Sequence, residues 1–295
     1  MHVMRPHLLR LLPTLAVALA TLCTRVKGSS GPVAIDIESL QATEVGECRR
    51  KAAQREPTQD ADSVAIGRYL AARDVILDKI AARRGTYYSL MARAAGDSRR
   101  ALFNLRVCGD SIVLLNKAVD VGDYAPTLVN WVTLRDSTVD GLLITYDTPL
   151  EGDVGTLVYS LHDSDLSLVF TDADGTCKPA ELRDLNGDGH PELLVYSEDL
   201  AKGDCTNLCH ITLRDRFDMV PAWVEVRRWT GKQWVPATDG EYRAFYRGLA
   251  ETYSQMASWL TTGSEHEHCQ NMPWLRDAEP FDQWAARARA LALAR

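Results

Sequence analysis

Two hydrophobic periods divide the chain. From Asp60 to Arg84 the apolar residues Ile66, Tyr69, Leu70, Leu77 and Ile80 recur at helical spacing. Asp62 or Ser63 can cap the start, and Gly85 follows Arg83 and Arg84, as suits a helix C-terminus. A helix over Asp60–Arg84 is predicted, with a second short one over Thr86–Ala95. From Ala101 the period changes to short apolar runs separated by turn residues. Ala101–Val107 and Ile112–Leu115 flank Gly109-Asp110 as a hairpin, and Leu128–Leu134, Leu142–Tyr146, Thr156–Leu161 and Leu166–Phe170 read as further strands. Leu193–Tyr196, His210–Leu213 and Trp223–Trp229 continue the series. Trp229 to Trp234 reads as a hairpin with one aromatic on each arm. Helical spacing returns at Asp239–Leu260, where Tyr242, Tyr246, Leu249, Tyr253, Met256 and Leu260 form a stripe that Phe245 widens. The Ala- and Arg-rich tail, Phe281 to Arg295, is predicted helical. The pattern predicts an α+β fold, a central antiparallel sheet flanked by N-terminal and C-terminal helices. Its segments are 1–20, 21–57 (linker), 58–100 (helical), 101–238 (antiparallel β) and 239–295 (helical).

Within the β region the most informative stretch is Asp184-Leu-Asn-Gly-Asp-Gly-His-Pro-Glu-Leu193. Oxygen side chains alternate at Asp184, Asn186 and Asp188, and Glu192 follows a Gly-His-Pro bend. Calcium takes six to eight oxygen ligands, and loops that wrap it supply them at alternating positions. An EF-hand would need a bidentate Glu at loop position 12, which here is Val195, so the acid at position nine must close the site. Hairpin turns also use Asp and Asn to bond their own backbone, and that reading stands beside the metal one.

The stretch, followed by a strand, resembles the calcium loop of FG-GAP/VCBS-type repeats, the blades of integrin-like propellers. The resemblance covers roughly a dozen residues. It implies a loop held in a β-hairpin and one calcium ion bound by Asp184, Asn186, Asp188, His190 (through its carbonyl) and Glu192. The family more often has Asp where Glu192 stands. Leu134-Arg-Asp-x-x-x-Asp-Gly141 faintly repeats Leu182-Arg-Asp-x-x-x-Asp-Gly189, without the oxygen-rich centre.

The 46% hydrophobic content implies a sizeable core. The net charge of −7, with no basic tract, argues against nucleic acid as a partner. Arg5, His7 and Arg10, then an apolar Leu11–Cys23 and Ala18-Leu-Ala20, form the pattern of a signal peptide over residues 1–20. Export to the periplasm or the extracellular space is expected. A lipid on Cys23 is an alternative, although Leu22 precedes it where a small residue is wanted. No transmembrane helix is expected. Six cysteines remain beyond Cys23. Hairpin geometry pairs Cys177 with Cys205 or Cys209 and the other with Cys269, leaving Cys48 with Cys108. His266-Glu-His268-Cys269 lacks the spacing of a zinc protease. No nucleophile elbow, phosphate loop or dinucleotide fingerprint occurs. The expected function is an exported calcium-binding structural or adhesion module with an unknown protein or carbohydrate partner. The alternative is an exported hydrolase that uses loop carboxylates, with Asp163, Asp165, Asp172 and Asp174 as candidates.

Overall fold

The computed structural model describes residues 59–294 except 110, 116–118, 121–125, 136–138, 149–152, 163–164, 202, 239, 263–268 and 270–278. The signal and linker segments, Cys48, Asp163, His266 and His268 lie outside the described residues.

The first helix, α1 (Gln59–Ala71), is shorter than its pattern predicts. Asp74 adopts φ +52°, which no helix continues through. Val75–Arg84 then runs as strand β1 and pairs with β2 (Tyr87–Ala94). Ile76, Leu77 and Ile80 are 39–42% exposed, so their helical spacing does not mark a buried face. Gly85 (φ +58°) is the first of two residues joining Arg84 to Tyr87. Tight hairpins want glycine at that position, so the same residue that suits a helix end makes a turn here. The second predicted helix is β2 itself. It is buried along nearly its whole length, and a strand buried on both faces loses the alternation that would identify it. Residues 59–100 are therefore one helix and a hairpin.

The expected single sheet resolves into three antiparallel sheets in chain order, and the α+β class holds. The first is β1-β2-β3-β4, with β3 at Ala101–Cys108 and β4 at Ser111–Leu114; β5 (Val119–Asp120) also pairs with β3. The second is β6-β7-β8-β9, at Pro126–Val132, Gly141–Asp147, Val154–His162 and Asp165–Thr176. The third is β10-β11-β12-β13, at Glu181–Arg183, Glu192–Ser197, Trp223–Trp229 and Trp234–Pro236. After them come a 3-10 turn at Gly240–Tyr242, helix α3 (Arg243–Thr262) and helix α4 (Glu279–Leu293). Helix α2 (Leu208–Phe217) precedes β12. It replaces the strand expected at His210–Leu213. Asn207 Oδ1 accepts from Cys209 N at 2.8 Å and caps its start, an Ncap signal that the apolar run obscures.

Alternating side chains bind these layers together. On β7, Leu142 and Ile144 join Met91 and Leu102 of the first sheet, while Leu143 turns to the third. On β11, Leu193 and Val195 face the second sheet, and Leu194 and Tyr196 face the helices. Strands buried on both faces read as continuous apolar runs for this reason. In the first sheet, Tyr88 OH donates to Asp62 Oδ2 at 2.7 Å and anchors α1.

The predicted tyrosine stripe of α3 lies on the third sheet. Tyr246 OH donates to Ala237 O at 2.9 Å. Tyr253, fully buried, donates to Ala222 O at 2.8 Å and accepts from Val224 N at 3.0 Å. Tyr253→Phe leaves both backbone groups unpaired, and an unsatisfied buried polar group costs about 1–3 kcal/mol. Denaturant unfolding is expected to show that loss with an unchanged m-value, because the rest of the fold keeps its shape.

Candidate metal loop and buried disulfide cluster

Strands β10 and β11 pair from Glu181↔Leu194 to Arg183↔Glu192, so Asp184–Pro191 is the connection between them. The loop therefore lies within a β-hairpin. Gly187 (φ +80°) and Gly189 (φ +86°) occupy the left-handed backbone region that glycine enters without strain.

Every predicted side-chain ligand is held by a donor of the chain itself. Asp184 Oδ1 accepts from Gly187 N at 2.7 Å and Oδ2 from Gly189 N at 3.0 Å. Asn186 Oδ1 accepts from Asp188 N at 3.0 Å, and Asp188 Oδ1 from His190 N at 2.7 Å. These are Asx turns, in which a side chain bonds the backbone two residues on. Asn186 Nδ2 donates to Asp188 Oδ2 at 3.0 Å. At the inner end Glu192 is 3% exposed; its Oε2 accepts from Leu185 N at 2.8 Å and its Oε1 from Tyr242 OH at 3.0 Å. Burial pushes the Glu192 carboxyl above its ordinary range, and the nearby Asp188 adds to this, against the two hydrogen bonds.

The donor set is all oxygen, which suits a hard cation. A carboxylate oxygen that accepts one N–H keeps a second lone pair for a metal. The residues therefore fit calcium chemically. The backbone bonds preset Asp184, Asn186 and Asp188, and Glu192 is fixed from the opposite side. Tyr242 holds Glu192 in place and belongs to no sequence-derived ligand set. Its only signal is its position at the head of the α3 stripe. The exposed His190 enters the expected set only through its backbone carbonyl.

The two copies of the faint repeat both fall in the first hairpin of a sheet but differ in register: Leu134 and Arg135 lie beyond β6 and Gly141 opens β7, whereas Leu182 and Arg183 lie within β10 and Gly189 precedes β11. In the first copy Asp140 Oδ1 accepts from Leu134 N.

Of the carboxylates of the hydrolase alternative, Asp165 and Asp172 are far apart. Asp165, exposed, accepts from Ser167 Oγ at 3.2 Å, and Asp172 stands seven residues away along β9. At strand rise that is roughly 20 Å, too far for a paired acid and base. Trp229 and Trp234 pair across β12 and β13 with ring centroids 5.2 Å apart and pack on the core between the second and third sheets.

Both expected disulfide partners of this region form, as Cys177–Cys205 and Cys209–Cys269. Cys108 is also disulfide-bonded. Around Cys177–Cys205 lie buried and half-buried ionisable groups. Asp153 is 1% exposed. Asp199 accepts from Cys177 N and from Ala201 N, both at 2.9 Å, and burial raises its carboxyl. His210 is 1% exposed, and burial lowers its imidazole. Among the described residues, Asp153, Cys177 and Cys205 are the set of three His, Cys, Asp or Glu ligand atoms lying within 4.8 Å of one another. A disulfide sulfur is not a thiolate, so this set binds no metal while the bond is intact.

No family model, curated protein or solved structure matches the chain. Among the described residues, no helix is long and apolar enough to cross a membrane.

Proposed function

We propose that this chain is an exported, non-enzymatic calcium-binding module with a structural or adhesive role. One observation supports the reading: a hairpin connection carries alternating side-chain oxygens, each bonded to a backbone N–H, and ends in a buried glutamate that is held in the same way. Asp184, Asn186, Asp188, the carbonyl of His190, and Glu192 hold the ion. The disulfides suit an oxidising compartment, and the signal-like start of the sequence agrees with that. Bound calcium supplies positive charge between carboxylates that otherwise repel. The chain's own part is to aim them. Leu185 N and Tyr242 OH orient Glu192, so the ion would couple the hairpin tip to the first turn before α3. The faces beside the loop are then the place for a protein or carbohydrate partner.

Extracellular calcium modules have dissociation constants of about 10⁻⁴–10⁻³ M. At roughly millimolar calcium this stabilises the fold by about 0.4–1.4 kcal/mol. Thermal melts with calcium and with chelator are expected to differ by about 1–5 °C. Asp188→Ala removes the difference, and Asp140→Ala in the repeat leaves it. Identical melts for the unmutated chain, with no heat of calcium binding, would return the loop to an ordinary Asx-rich turn.

A further inference from the structure

Asp153 is the most unusual buried group of the described residues. It precedes β8, its side chain is almost entirely enclosed, and it faces the Cys177–Cys205 disulfide. Its Oδ1 accepts from Gly203 N at 3.0 Å and lies 2.6 Å from Cys205 Sγ and 3.9 Å from Cys177 Sγ. Its Oδ2 has no hydrogen-bond partner at all. Disulfide sulfurs carry no hydrogen and cannot supply the missing donor. A buried carboxylate with one oxygen set against two sulfurs and the other left without a donor is costly unless another state of the site uses it.

We propose that the reduced form of this site binds zinc through Cys177 Sγ, Cys205 Sγ and the Asp153 carboxylate. A dithiol reductant transfers two electrons and two protons to the Cys177–Cys205 bond, giving two thiols and leaving the reductant as its own disulfide. Zinc then displaces both thiol protons and binds two thiolates and one carboxylate, with water in the fourth position. Two sulfurs and one oxygen match zinc, which takes Cys and Asp together, and not calcium or magnesium, which take oxygens. In tetrahedral zinc, ligand atoms stand about 3.6–3.8 Å apart given the usual Zn–S and Zn–O lengths. The three atoms already lie within 4.8 Å, and the Cα atoms of the two cysteines are 5.1 Å apart. Side-chain rotation suffices to open the site. The backbone on either side is pinned, at Cys177 N by Asp199 and at Gly203 N by Asp153 itself. The site is thus gated by oxidation state, closed to metal as a disulfide and open as a dithiol.

The test is zinc and cobalt binding by the full chain before and after treatment with a dithiol reductant, with circular dichroism recorded on each sample. The oxidised chain is expected to take up no metal here. The reduced chain takes up one equivalent at this site, and cobalt shows thiolate-to-metal charge transfer in the near ultraviolet. Asp153→Asn weakens binding at least about tenfold, the scale on which loss of supporting groups acts at metal sites. Asp153→Glu restores it, and Cys205→Ser removes the charge-transfer band. Joint Cys209→Ser and Cys269→Ser changes leave the band, which separates this site from the other thiols. Asp188→Ala also leaves it, which separates it from the calcium loop. A reduced chain that loses its fold, binds no zinc, or binds it as tightly with Asp153→Asn overturns the proposal.

Discussion

Replacing Cys209 and Cys269 together by alanine is expected to lower stability by about 4 kcal/mol. The two residues are 60 apart in sequence, and cross-linking a loop of that length removes about this much chain entropy from the unfolded state. The native structure adds a second contribution. Cys209 and Cys269 are both buried in the core beneath α3, beside Leu213, Phe281 and Trp284. Removing two sulfurs there also loses packing. The bond ties α2 to the segment that leads into α4, so its loss frees that end of the helical layer. A midpoint roughly 8–16 °C lower is the expected melting result for a chain of this size. A double alanine variant that melts within about 2 °C of the unmutated chain would show that the helices alone hold the segment.

Gly155→Ala is expected to cost up to about 3 kcal/mol, the upper part of the usual range for overpacking. Gly155 lies directly opposite Tyr146 on β7. A Cβ there would stand 2.3 Å from Tyr146 Cζ and 2.6 Å from its Oη. The tyrosine ring lies across the bare backbone of β8, an arrangement in which an aromatic covers a strand glycine. The added methyl must evict the ring. The decisive measurement is a double-mutant cycle by denaturant unfolding. In a Tyr146→Ala background Gly155→Ala should cost under about 1 kcal/mol, because the clashing atoms are gone. Equal costs in both backgrounds would place the strain elsewhere.

Much of this architecture is legible in the sequence, for identifiable reasons. The strands at Leu142–Tyr146 and Trp223–Trp229 end at Gly or Asp turns that only a hairpin explains. The stripe of α3 is long enough to fix its period, and its tyrosines are buried as predicted. A hairpin that returns the chain to Cys177 brings it near Cys205 and Cys209 without choosing between them, and the structure joins it to Cys205. Misread segments are those where local pattern and tertiary pairing disagree. Ile76 and Ile80 continue a helical period that Asp74 breaks, and pairing with β2 decides the outcome. Tyr87 to Ala94 has no alternation because both its faces are covered. The loop oxygens could be read because their spacing is local. Tyr242 and Asp153 could not, since each acts on a group 50 or more residues distant in sequence or separated by a whole strand: Tyr242 reaches Glu192, and Asp153 reaches Cys205.

The order of the three sheets has a consequence for how the molecule assembles. Except for β5, every strand pairs with its neighbours in sequence, and each sheet is complete before the next begins. Apart from the connection between β11 and β12, which holds α2, closing these hairpins requires only short loops, so little entropy is lost before pairing is rewarded. Each sheet is a local unit that zips from its own turns and then offers a face for the next to settle on. The layers can therefore form one after another as the chain is delivered from its N-terminal side. The last step falls to α4, whose Trp284 Nε1 donates to Glu198 at 2.9 Å and so fastens the end of the chain to the exit of β11.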